Sequence, residues 1–379
     1  MSAARERAPV LLLARELNLG GSERQLCEMV RGLDRDRFVV HTGCFRRGGI
    51  RASEIEADGI PLAEFPLRSF RSPSDVWSSV LALRRYVQQH RIRVVHAFDA
   101  PTNVFVSIAA CFLGQTAVLT SQRSHRQRRT LATRASLRLA DRLTDGVVVN
   151  CESVRAELVS AERVPPRRIH LCYNGVDARR FRRTVLARSD VLPPHALVIG
   201  TVCAFRPEKG LSTLLRAFAA CCASNPNLVL VMVGDGQERD DLQRQARERG
   251  IGSRCVFQPA ASDVVPWLSR IDIFVLPSLF EAFSNALMEA MACECACIAS
   301  RVGGNPELVH HEETGLLFEK DDVRSLVGQL ERLVADPDLR QRLGQQAAAM
   351  IGSKFSLRVA AARLGAIYES AMAAQEAAR

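Results

Sequence analysis

The stretch Pro277-Ser278-Leu279-Phe280-Glu281-Ala282-Phe283-Ser284-Asn285-Ala286-Leu287-Met288-Glu289-Ala290-Met291-Ala292 joins a strand end, a loop and a helix. The preceding run Ile271 to Leu276 is of the apolar kind that a buried strand carries. Ser284 suits the position before a helix beginning at Asn285, since its hydroxyl can accept from an open N–H of the first turn. Glu281 then stands in the loop. Glu289 lies on the helix, sharing a face with Asn285 and roughly opposite Leu287, Ala290 and Met291. Two carboxylates, an amide and the free N–H groups of a helix start therefore converge. Such N–H groups favour an anion such as phosphate, and carboxylates accept hydrogen bonds from sugar hydroxyls. The stretch reads as a site for a sugar joined to a phosphate. The competing reading is two surface glutamates on an amphipathic helix, and the rest of the chain decides between them.

Working outward, strand-like runs alternate with helical ones. Val10 to Ala14, Val39 to Cys44, Val94 to Ala97, Ala117 to Thr120 and Gly146 to Val149 read as strands, with helical patterns such as Glu23 to Leu33 and Asp75 to His90 between them. This is the pattern of a parallel sheet covered by helices on both faces. After an Arg-rich irregular stretch from Asp177 to Pro194 the alternation restarts, with strands at Val198 to Cys203, Leu228 to Val233, Val256 to Gln258, Ile271 to Leu276 and Cys297 to Ser300. Two doubly wound domains are expected. A last amphipathic pattern, Ser356 to Ala373, carries Leu357, Ala360, Ala361, Leu364, Ile367 and Tyr368 at helical spacing. With 379 residues, 47% of them hydrophobic, the chain can bury a large core. Its apolar runs fall short of the roughly 20 residues that span a bilayer. Pro9 to Ala14 is short for a signal-peptide core and reads as a first buried strand, so the protein is expected in the cytosol.

The order of short motifs is similar to that of the retaining glycosyltransferases of family 4. In that family a Pro-Ser strand end is followed by Glu, seven residues and Glu, as in Glu281 to Glu289 here. Gly20-Gly21-Ser22-Glu23-Arg24, Asn174-Gly175-Val176-Asp177, Arg206-Pro207-Glu208-Lys209-Gly210, Val233-Gly234-Asp235-Gly236 and Val302-Gly303-Gly304-Asn305-Pro306-Glu307 resemble further family motifs in the expected sequence order. The resemblance covers nearly the whole chain. It implies the GT-B fold: a Rossmann-like acceptor domain over residues 1–185, a Rossmann-like donor domain over 186–355, and a helix over 356–379 that returns to the first domain. The active site of such a fold lies in the cleft between domains.

Loss of a nucleoside diphosphate builds negative charge on the bridging oxygen, which fixed cations stabilise. Arg206 and Lys209, after the strand Val198 to Cys203, occupy what resembles the family's diphosphate clamp. Ala204 stands where many relatives place an Arg. By the same resemblance Glu281 contacts donor-sugar hydroxyls and Glu289 holds the nucleotide ribose. Backbone N–H groups near Phe283, Ser284 and Asn285 would bind sugar and phosphate oxygens, and Asn174 and Gly234 join the donor-binding set. Gly20 and Gly21 permit close approach of backbone to a diphosphate or an acceptor; a plain turn is the alternative. No third glycine follows at dinucleotide spacing, which disfavours a nicotinamide oxidoreductase. His96 and Arg123, with Gln122 beside it, are candidate contacts to acceptor or donor.

No Asp-x-Asp pair sits at a strand end, and Arg and Lys can serve as counter-charges, so neither a metal nor a cofactor is expected beyond the nucleotide sugar. The twelve cysteines are scattered, and Cys293, Cys295 and Cys297 lack a second Cys/His group at zinc-like spacing; free thiols are expected. The net charge of +10 asks for anionic partners. Arg123 to Arg142 holds seven Arg against one acid, Asp141, and reads as a helix. Leu131, Ala135, Leu139 and Leu143 form one row of it and Arg134, Arg138 and Arg142 the next. Such a helix fits docking on an anionic membrane surface; the alternative is a solvated basic helix whose leucines pack on the sheet. The segment has no aromatic residues for base stacking, so nucleic acid is not an expected partner. The expected activity is retaining, metal-independent sugar transfer to a glycan, lipid-linked or anionic acceptor, in cell-surface polysaccharide or glycolipid synthesis. Two other readings compete: a GT-B phosphorylase or epimerase, and a catalytically idle subunit that binds nucleotide sugar.

Overall fold

The computed structural model describes residues 6–18, 20–184, 192–193 and 195–377. Among these residues thirteen strands lie in two wholly parallel sheets. The first holds β1 (Ala8–Ala14), β2 (Phe38–Cys44), β3 (Leu62–Glu64), β4 (Val94–Ala97), β5 (Ala117–Gln122), β6 (Gly146–Val149) and β7 (Ile169–Leu171), in the order β3-β2-β1-β4-β5-β6-β7. The second holds β8 (Leu197–Val202), β9 (Leu228–Val233), β10 (Cys255–Gln258), β11 (Ile273–Leu276), β12 (Ala296–Ser300) and β13 (Leu316–Phe318), in the order β10-β9-β8-β11-β12-β13. Central strands such as Val10 to Ala14 and Leu228 to Met232 are apolar throughout and buried, as parallel strands covered on both faces must be.

The chain divides into two compact units, one running to Gly175 and taking in the chain from Leu357, the other Val176–Ser356. Positions 185 and 186, where the sequence reading sets the boundary, lie outside the described residues. The observed division is marked by Val176, whose N–H donates to Phe355 O at 3.0 Å and which bridges Ser356. In the first unit, the helices Pro73–Gln89 and Ala100–Ala110 cover one sheet face around Leu11, Leu13, Val95 and Val118. Gly21–Gly32 and the terminal helix Leu357–Ala377 cover the other, where Ala360, Leu364, Ile367 and Tyr368 pack with Leu26, Val30 and Phe38. The second unit has its own core around Leu214, Phe218, Leu230, Val275 and Ile298.

The segment read as one basic helix from Arg123 is broken. A turn at Arg126–Arg128 precedes the helix Leu131–Leu143, capped by Thr130, whose hydroxyl accepts from Thr133 N at 3.3 Å. The cause is Arg126, which turns inward and is buried in a two-pronged pair with Asp141 at 2.6 and 2.9 Å. The leucine row does not pack on the sheet: Leu137, Ala140 and Asp141 face inward, while Leu131, Leu139 and Leu143 are 81%, 55% and 41% exposed. No helix among the described residues is long and apolar enough to cross a membrane.

Candidate functional site

Open parallel sheets take ligands beyond the carboxyl ends of their strands, where the strand order reverses. In the second sheet that point lies between β8 and β11. The loops that follow these two strands carry Arg206, Lys209 and Glu281. Lys209 Nζ donates to Glu281 Oε2 at 2.7 Å, and Ser278 Oγ donates to the same oxygen at 3.2 Å. Burial alone would pull the Lys209 ammonium down, but the charge and hydrogen bond of Glu281, with Glu208 nearby, outweigh it and hold the ammonium above the ordinary lysine value. The lysine therefore stays charged at neutral pH. Glu281 Oε1 has no partner among the described residues. Arg206 is exposed at the head of the short turn Pro207–Lys209, its guanidinium without a partner among the described residues.

Backbone contacts fix this arrangement. Leu279 N donates to Glu208 O at 2.8 Å, tying the two loops together. Gly210, at φ +62°, lets the first loop run against the second: a Cβ there would meet Pro277 O at 2.3 Å. Gly303, at φ +52°, abuts Glu281 itself, where a Cβ would meet the carbonyl oxygen at 1.8 Å, and Gly304 N donates to Ala282 O at 2.7 Å. A buried polar chain supports Ser278: Ser300 Oγ donates to Ser278 O at 2.6 Å, and Asn305 Nδ2 to Ser300 O at 3.0 Å. The motif Gly303-Gly304-Asn305 was legible as a family motif. The sequence did not reveal its task, which is to brace the Glu281 loop.

The helix after the loop is Asn285–Ala292, and Ser284 caps it by accepting from Leu287 N at 3.3 Å. Phe283 is buried with its ring 5.6 Å from that of Phe355. Glu289 is buried on the same helix as Asn285, which is half-buried at its first position. Gly234 follows β9, donates to Gln258 O at 3.0 Å and accepts from Arg239 Nη1 at 2.9 Å. The structure thus brings Lys209, Glu281 and the helix start to one end of the second sheet.

The first unit holds the remaining candidates. Its strand order reverses between β1 and β4. Gly20 and Gly21 follow β1, are exposed, and start the helix Gly21–Gly32. A Cβ at Gly20 would meet the carboxylate of Glu23 at 2.1 Å, so that side chain lies over the helix start. Burial pushes the Glu23 carboxyl up, with the Asp99 charge adding to it. Arg123 Nη1 donates to Asn174 Oδ1 at 2.7 Å, and its guanidinium lies 4.5 Å above the Phe98 ring. Burial pulls Arg123 down to about 10. Gln122 is drawn away from any ligand role, accepting from Arg126 Nε at 2.9 Å and donating to Ser124 O.

His96 departs from the expectation of a ligand contact. It is fully buried, with Nδ1 2.8 Å from Tyr368 Oη and Nε2 2.8 Å from Ser121 Oγ. Burial, aided by the charge of Arg123, holds it well below the ordinary histidine value. It is a neutral link between β4, β5 and the terminal helix. The twelve cysteines are unpaired, and burial pushes the thiol of Cys293 up to about 12 and raises those of Cys295 and Cys297 as well. Among the described residues no group of three His, Cys, Asp or Glu is placed to hold a metal ion.

Residues 19–180 match the family Glycosyltransferase Family 4, and residues 185–350 match Glycosyl transferases group 1. The N-acetyl-alpha-D-glucosaminyl L-malate synthase of Bacillus anthracis is 30% identical over 194 residues, 50% of this chain and 51% of that protein. The lipopolysaccharide core biosynthesis glycosyltransferase LpsE of Rhizobium meliloti (strain 1021) is 30% identical over 219 residues, 57% of this chain and 61% of that protein. The chain thus spans about half to three fifths of these curated relatives. Among solved structures, Anabaena HepE in complex with UDP superposes with a TM-score of 0.83 at 21% identity, covering 96% of this chain and 100% of that one. The sucrose-phosphate synthase of Thermosynechococcus elongatus gives 0.80 at 20% identity, covering 97% and 100%. At such identities the likeness is one of fold. With both halves matched in order and each built on a doubly wound parallel sheet, the chain belongs to the glycosyltransferases of GT-B fold, Family 4 in its first half and group 1 in its second.

Proposed function

We propose that this protein moves a sugar from a nucleoside diphosphate donor to a hydroxyl of a glycan or lipid-linked acceptor, with retention of anomeric configuration, in the synthesis of surface polysaccharide or glycolipid. The observation that carries the reading is the Lys209–Glu281 pair, steadied by Ser278 at the point where the second sheet reverses its strand order. The solved relative HepE, crystallised with UDP and with UDP-glucose, and the relative LpsE, named for lipopolysaccharide core synthesis, support the substrate class.

Each residue then has a task. Glu281 accepts hydrogen bonds from donor-sugar hydroxyls, and the donor diphosphate takes over the Lys209 ammonium. The bond from the anomeric carbon to the diphosphate oxygen breaks, its electron pair staying on that oxygen. Lys209 and the exposed Arg206 stabilise the charge that builds there. The acceptor oxygen forms the new bond to the anomeric carbon, and its proton passes to the departing diphosphate. Because two cations of the chain supply the counter-charge, turnover is expected to survive a chelator. Glu289, one helical turn after Asn285, holds the ribose.

The test is calorimetry with a panel of nucleotide sugars, with product analysis, comparing the native chain with Glu289→Ala. One donor that binds the native chain and binds the variant at least tenfold more weakly is the expected result. Binding of no donor would sink the proposal, and binding of a donor without transfer to any acceptor would favour the idle nucleotide-sugar-binding subunit. Turnover that needs no acceptor alcohol would point instead to a phosphorylase or epimerase.

A further inference from the structure

Of the ten large apolar side chains exposed among the described residues, nine belong to the first unit. Six of these stand on a layer of three adjacent helices or at its edge. The helices Pro73–Gln89, Ala100–Ala110 and Leu131–Leu143 pack side by side in that order. Trp77 and Phe112 meet edge to face at 5.2 Å while both remain exposed. Ile108 is exposed on the second helix, and Leu131, Leu139 and Leu143 follow on the third. So many large apolar side chains exposed on one helical layer mark an interaction surface.

Charge identifies the partner. The third helix borders a pocket of about 580 Å³ into which Arg138, Arg142, Arg163 and Arg168 project around Asp141 and Glu162. The two carboxylates are already neutralised: Asp141 by the buried Arg126, and Glu162 by Arg134 at 2.8 Å and Arg138 at 2.5 Å. The side chains of Arg142, Arg163 and Arg168 have no ion pair or hydrogen bond among the described residues. Arg163 is also held at φ +55°, a backbone conformation uncommon outside glycine. A pocket ringed by arginines, two of which, Arg138 and Arg142, are each followed on the helix by an exposed leucine, matches a ligand that is anionic at its head and apolar below. A second copy of this chain would bring the same arginines together and be repelled. We propose that the outer face of these three helices docks on an anionic lipid bilayer, with the leucines at the acyl boundary and headgroup phosphates in the arginine pocket.

Vesicle binding is read without any sugar donor, so this proposal stands apart from the transfer reading. The experiment is co-sedimentation of the full chain with phosphatidylcholine vesicles, with and without phosphatidylglycerol, and a thermal-shift titration with inorganic phosphate. The native chain is expected to bind the anionic vesicles, to bind the neutral ones at least tenfold more weakly, and to be released by salt. Leu139→Ser should weaken binding about tenfold, and Arg142→Gln, Arg163→Gln and Arg168→Gln about fivefold each. All four positions are at the surface, so melting temperatures should not move. The proposal is overturned if the native chain ignores anionic vesicles, if it binds neutral ones equally, or if the variants bind like the native chain. Stabilisation by phosphate without vesicle binding, or a leucine variant that only changes a dimer into a monomer, would also overturn it.

Discussion

Glu281 is useful only if its carboxylate is aimed, and three neighbours aim it: the Lys209 ammonium, the Ser278 hydroxyl and the backbone of Gly303. Gly303→Ala adds a Cβ to a residue in the left-handed region and drives it into Glu281 O, so the loop must shift. Donor affinity should fall at least tenfold, with about 1–3 kcal/mol lost in stability, measured by calorimetry and urea unfolding. Ser278→Ala removes one hydrogen bond to a charged group, worth about 1.5–3 kcal/mol at most; a kcat unchanged within twofold would show that the hydroxyl does not orient Glu281. His96 offers a test of a different kind. Its folded value lies below its unfolded one, so the unfolded chain binds the proton first. The stability it contributes is present above about pH 6.5, the unfolded value, and is lost as pH falls through the range below. His41 and His170, also lowered by burial, act in the same direction. The melting temperature of the first unit should therefore drop between pH 7 and pH 5, and His96→Gln should flatten that slope.

At the scale of elements, the helix Asn285–Ala292 depends on its cap. Ser284→Ala should cost the second unit about 1 kcal/mol and Ser284→Asp nearly nothing; equal losses in the two variants, followed by urea unfolding, would mean the cap is not what holds this helix. That cap was legible in the sequence because Ser before an apolar-periodic run has a single good use. The ten longer strands were legible too, through their mostly apolar runs. The three that were not, Leu62–Glu64, Ile169–Leu171 and Leu316–Phe318, are three residues long and sit at sheet edges, too short to show a period. The strand read from Ile271 begins at Ile273, because Ile271 N still bonds to Trp267 O at the end of the preceding helix. Within the site, Lys209, Glu281 and Glu289 could be named as candidates because their motifs resemble those of the family, whereas the bracing by Ser300 and Asn305 depends on long-range pairing of β11 with β12. Arg126 illustrates the general limit: a run of arginines does not say which one turns inward, since that is decided by the position of Asp141 in space.

For the molecule as a whole, the terminal helix belongs to the core of the first unit although it follows the second in the chain. Deleting the chain from Leu357 should strip Ala360, Leu364, Ile367 and Tyr368 from that core and unpair His96, so the first unit should lose cooperative unfolding in calorimetry. The second unit, whose core uses none of these residues, should keep its transition; loss of both would show that the units do not fold separately. The central claim, sugar transfer supported by Lys209 and Glu281, is tested most directly by the single-turnover rate of donor cleavage in the native chain and in Lys209→Ala. Loss of a fixed cation at the departing oxygen predicts a rate lower by roughly 100- to 1000-fold, with the fold retained by circular dichroism. A rate equal to that of the native chain would contradict the account and place the chemistry elsewhere.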